Sequence, residues 1–141
     1  MFYALSMILV LAPGYCQQWH EDLDAALSLA NAENKKVMLF FTVPDACDSC
    51  TALEENVLES DEFKKYAANY VLARADFQHS IKHPVTAESK AKNLLIVEKY
   101  NKDGFFPLMV ILDKSARIIG SRGTYNGESS SEYIASLQAI D

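Results

Sequence analysis

Apolar residues recur along this chain with two periods, and the switches between them predict its elements. Leu23, Ala26, Leu27 and Ala30 repeat at helical spacing behind Glu21, Asp22 and Asp24, so residues 20–33 are expected to form an amphipathic helix ended by Asn34-Lys35-Lys36. Val37 to Val43 is a continuous apolar run, the pattern of a strand covered on both faces, and Pro44-Asp45 breaks it. Residues 51–58 predict a helix with Cys50, Leu53 and Val57 on one face. Ser60 caps a further turn or two, with Phe63, Tyr66 and Ala67 turned inward. A second strand is expected over residues 70–77, followed by a polar loop holding His79, His83 and Pro84. Thr86 caps a helix over 87–100, Asp103-Gly104 turns the chain, and Leu108 to Leu112 is a third strand. A turn at 113–116 leads to a fourth strand at 117–121. Ser129-x-x-Glu132 fits a capping box for a last helix bearing Tyr133, Ile134 and Leu137. Alternating helices and strands that end in a hairpin predict an α/β domain. Its mixed sheet has about four strands, with helices on both faces.

Composition narrows the possibilities. The chain has 141 residues, half of them hydrophobic, and a formal net charge of −6. One domain with its own core follows. No basic face exists to hold nucleic acid. Residues 1–16 stand apart: Phe2 to Ala12 is apolar except for Ser6, and no charge appears before His20. That stretch is too short for an ordinary membrane span and matches the apolar region of a signal peptide. We therefore expect residues 1–16 to direct export and residues 17–141 to form the domain. Cys16 invites a lipoprotein reading, which the bulky Tyr15 before it opposes.

The strongest chemical signal is Cys47-Asp48-Ser49-Cys50, placed between an apolar strand and a helix. Two sulfurs there suit thiol–disulfide exchange: one attacks a substrate and the other resolves the product. His79-x-x-x-His83 could join the cysteines in a metal site, but the separation from Cys50 is far longer than a zinc finger uses. No metal is expected.

These residues, together with Lys36 to Thr42, Leu53-Glu54-Glu55, Ser60 to Phe63, Tyr100 and Gly104-Phe105-Phe106-Pro107, resemble the thioredoxin-like superfamily. The likeness is greatest to small exported proteins related to bacterial periplasmic thiol:disulfide interchange proteins. Trp19 would open the first helix. The resemblance implies a thioredoxin-like fold and a cis bond before Pro107. It also implies a groove in which the Phe106 backbone pairs with an extended substrate peptide. Cys47 would be the exposed nucleophile and Cys50 the buried resolving thiol. No diffusible cofactor is implied, because electrons travel through the Cys47–Cys50 pair. The partners would be proteins carrying disulfides or dithiols, plus a redox partner that recharges the pair. The location would be the periplasm. Sequence sets no oligomeric state.

The chain departs from the family pattern in ways that bear on chemistry. Ala46 stands where an aromatic residue usually precedes the first cysteine, and the strand Leu39-Phe40-Phe41-Thr42 lacks the usual buried acid. The intervening pair Asp48-Ser49 is unfamiliar, and Leu108 follows the proline where Thr is common. Proton transfer at Cys50 is then left to water, to Glu54 or to another group. Asp45 and Asp48 suit a helix start, one as cap and one in the first turn. Their charge also opposes a Cys47 thiolate. At about 6 Å and an effective dielectric of 40–80, each costs the thiolate roughly 0.7–1.4 kcal/mol. A less stabilised thiolate makes the disulfide harder to reduce, so the pair should lean towards reductase chemistry. The alternatives are a non-catalytic peptide-binding module with a structural disulfide and, further off, a metal-binding protein.

Overall fold

The computed structural model describes residues 17–77 and 85–141. Its elements run β1 (Trp19–His20), α1 (Leu23–Glu33), β2 (Lys36–Thr42), α2 (Asp48–Leu53), a π-helical turn (Glu54–Leu58), α3 (Asp61–Ala67), β3 (Tyr70–Asp76), α4 (Ala87–Tyr100), β4 (Leu108–Leu112), β5 (Ile118–Gly123) and α5 (Ser130–Gln138). The mixed sheet has the order β1-β3-β2-β4-β5. β1, β3 and β2 run parallel, β4 runs antiparallel to β2, and β5 completes the sheet as the antiparallel partner of β4.

Strand alternation explains the two cores. Met38 and Phe40 of β2 point to one face and pack with Leu53, Val57, Phe63, Tyr133 and Leu137 from α2, the π turn, α3 and α5. Val37, Leu39 and Phe41 point to the other, against Leu23, Ala26 and Ala30 of α1 and Tyr100 of α4. β2 is central, so both its faces are covered and nearly all its side chains are buried. Asn34 closes α1 in the left-handed conformation, at φ 55°.

Three expectations need correction. The sheet has five strands, not four, because Trp19 and His20 pair with Leu72 and Ala73 of β3. Trp19 therefore does not open the first helix. Asp22 does, its side chain accepting from the N–H groups of Asp24 and Ala25. The third concerns the helix after the cysteines. It starts earlier, at Asp48, and widens into a π turn from Glu54, which places the adjacent Val57 and Leu58 both in the interior.

Candidate active site

β2 ends at Thr42, a turn over residues 44–46 follows, and α2 begins. Cys47 caps α2: its Sγ accepts the Cys50 N–H at 3.2 Å. The cap is therefore a sulfur rather than Asp45, which lies exposed in the turn, while exposed Asp48 occupies the first turn. Cys47 and Cys50 are joined in a disulfide, with their Cα atoms 5.2 Å apart. Cys50 is wholly buried, whereas Cys47 is half-buried. A reagent from solvent thus meets Cys47 first. On reduction, the N–H that caps α2 through Cys47 is already aimed at the sulfur that must carry negative charge.

A further donor and the end of a neighbouring strand flank the pair. Ser49 Oγ lies 3.5 Å from Cys47 Sγ, close enough for a hydroxyl to donate to a thiolate. On the neighbouring strand, the Phe106–Pro107 peptide bond is cis. Leu108 pairs with Phe41, so Pro107 lies at the end of β4 beside the end of β2, where the chain leads into the cysteines. The loop before Pro107 is held from within by Asn101, itself buried. Its side chain donates to Phe105 O at 2.8 Å and accepts from Phe105 N at 2.9 Å. Phe106 meets Phe77 edge to face at 5.6 Å, and Phe105 is 55 % exposed.

Beneath α2 the sheet carries charge. Arg74 of β3 is buried; its guanidinium bonds Glu54 at 2.7 Å and Asp76 at 2.9 Å, and lies 5.8 Å from the centre of the Phe40 ring. Burial draws its pKa down. The bond to Glu54 and the charges of Asp76 and Glu54 outweigh that, leaving the guanidinium above its ordinary value. Thr42, in register with Asp76, is fully buried and its hydroxyl has no hydrogen-bond partner among the described residues. Asn93 of α4 donates to Asp76 O at 2.8 Å and ties that helix to the same strand end.

Glu54, expected as a group near the cysteines, is therefore held by a cation from another strand. Reasoning from sequence missed Arg74, Asp76, Asn101 and Ser49 as site residues. The available signal was the pair of charges in the otherwise apolar run 70–77. His79 and His83 lie outside the described residues, as does Cys16. Among the described residues no group of three or more His, Cys, Asp or Glu side chains is placed to hold a metal ion.

Fold and site together define a thioredoxin-fold protein with a paired cysteine at the start of the helix that follows the central strand. The chain belongs to the Thioredoxin-like family, which it matches over residues 18–114. It is 30 % identical over 107 residues to the disulfide bond reductase DsbH of Chlamydia pneumoniae, covering 75 % of this chain and 62 % of that protein. It is 27 % identical over 121 residues to the thioredoxin-related protein DsbJ of the same organism, covering 84 % of this chain and 34 % of that one. The chain thus spans less than two thirds of either curated relative. Among solved structures, a DsbH oxidoreductase superposes with a TM-score of 0.77 at 23 % identity, over 99 % of this chain and 94 % of the other, a likeness of fold.

Proposed function

We propose that the chain is a thiol–disulfide oxidoreductase acting on protein substrates, with reduction as its main direction. The observation that carries this reading is the half-exposed Cys47, bonded to a buried Cys50 at a helix start beside cis-Pro107. In the reduced protein, the Cys47 thiolate attacks one sulfur of a substrate disulfide. A mixed disulfide forms, and the other substrate sulfur leaves as a thiolate that takes up a proton. Cys50 then loses its proton and attacks Cys47 Sγ. The intramolecular bond closes, and the second substrate sulfur departs and is protonated in turn. Two electrons and two protons pass from the protein dithiol to the substrate.

Phe106 and Pro107 bound the groove, and the Phe106 backbone would pair with an extended substrate segment. Asp45 and Asp48 add negative charge beside Cys47, which favours the reducing direction. Both are exposed, so salt screens their effect. The pair carries the electrons without a diffusible cofactor and is recharged by a separate redox partner. We place the protein outside the bacterial cytoplasm, with residues 1–16 as the export signal, on the apolar pattern of that segment.

The test is insulin reduction with dithiothreitol as electron source. The native chain should precipitate the insulin B chain, Cys47→Ser should show no activity, and Cys50→Ser should accumulate a mixed disulfide with substrate. Equal rates for native protein and Cys47→Ser would instead assign the fold to peptide binding with a structural disulfide.

A further inference from the structure

Cys50 must lose a proton during every turnover, yet it is wholly buried and β2 offers no acid beneath it. A thiolate forming there gains little from water, so the fixed charges around it decide how readily it forms. Glu54 is such a group one turn further along the helix. Its N–H bonds Cys50 O, which puts the two residues four apart on one helical face, with Cβ atoms about 5–6 Å apart. An unrestrained carboxylate in that place would oppose the thiolate. Glu54 is not unrestrained: Arg74 grips it from β3 at 2.7 Å, and the same guanidinium bonds Asp76 at 2.9 Å. Arg74 is buried by both its neighbours and the Phe40 ring, so little solvent screens its charge.

We propose that Arg74 is a positioning residue for the cysteine pair: it draws the Glu54 carboxylate towards β3 and offsets its charge, so that Cys50 can give up its proton inside the protein. This rests on the exchange function proposed above. Two features support a role beyond packing. First, Arg74 is a buried cation in a strand whose other interior positions are mostly apolar. Replacing such an ion pair by hydrophobic residues is often neutral or stabilising, so stability alone gives no reason for it. Second, Arg74 Nη2 is buried without a hydrogen-bond partner among the described residues, a cost that stability alone would remove. Among the described residues the titratable groups of this cluster are Glu54 from the helix, one turn after Cys50, Asp76 from β3, and Glu21, which lines a small cavity with Arg74 and Asp76. α4 contributes only the uncharged Ser89 and Asn93 to that cavity.

The experiment follows the pH dependence of Cys50 alkylation in the reduced full chain carrying Cys47→Ala, read on the Cys50 peptide by mass spectrometry. Arg74→Met should move the midpoint upwards by about one pH unit, a tenfold loss of thiolate below it. Glu54→Gln should move it downwards, and Arg74→Lys, which keeps the charge, should stay near the parent. A purely structural role would not give shifts of opposite sign. Should Arg74→Met fail to fold, Glu54→Gln and Arg74→Lys decide the matter. A parental midpoint in Glu54→Gln, or shifts of the same sign in the Glu54→Gln and Arg74→Met proteins, would overturn the proposal. The alkylation readout needs no protein substrate, so it can fail or succeed independently of insulin reduction.

Discussion

Thr42 is the last residue of β2, wholly buried between Asp76 on one neighbouring strand and the position of Pro107 on the other. Its hydroxyl has no hydrogen-bond partner among the described residues. Burying a hydroxyl that way costs about 1–3 kcal/mol, and a methyl of the same shape avoids it. Thr42→Val should therefore raise stability by about 1 kcal/mol, measured by urea unfolding of the oxidised protein. An unchanged or lower midpoint would mean that the hydroxyl is satisfied in solution. Cys47 and Cys50 were legible in the sequence because they form a motif with fixed local spacing, and Pro107 because the family resemblance reaches it. Arg74 and Asn101 were not. Their roles arise from partners brought together by the fold: Glu54 from the helix for Arg74, and the Phe105 peptide for Asn101. No periodicity encodes such a meeting.

At the scale of elements, local signals explain which boundaries were readable. α4 and β4 run as expected because Thr86 caps the helix through the Ser89 N–H and because a five-residue apolar run fills the strand. The last helix carries a complete capping box, with Ser129 Oγ accepting from the Glu132 N–H and Glu132 accepting from the Ser129 N–H. Ser129→Ala removes one half of it and should cost about 1 kcal/mol, seen as a lower thermal midpoint with the fold intact. β1 escaped notice because two residues show no alternation; only pairing with β3 makes them a strand. The π turn escaped for a related reason. The residues before it carry an ordinary helical pattern up to Leu53, and the extra residue per turn accompanies the packing of Val57 and Leu58 into the core.

Across the whole molecule, several carboxylates titrate below their ordinary range. Glu128 is held there first by the Asn126 N–H and also by Arg122, and Glu132 by the Ser129 N–H and hydroxyl. Asp113 is held by the Arg117 and Ser115 N–H groups. For Asp141, burial pushes upwards, but bonds from Lys36 and Tyr70 prevail. A depressed carboxylate stabilises the fold fully above its unfolded value, near 4, and loses that contribution as the pH falls through the lower folded value. Thermal midpoints should accordingly be flat down to about pH 5 and fall steadily below it. A midpoint that rose on acidification would contradict the sign. The decline needs no metal and no change at the cysteines, which stay locked as a disulfide in this range.

Trp19 is the chain's single tryptophan, and it packs on β1 with its ring centre 6.0 Å from that of Phe40. Ala46 occupies the place beside Cys47 where an indole would otherwise sense the sulfurs. Emission from this protein is consequently a gauge of whether the sheet edge stays closed over the core. Loss of β1 alone would redden it before global melting. Oxidation and reduction are followed independently of that fluorophore, by counting free thiols or by electrophoretic mobility after labelling.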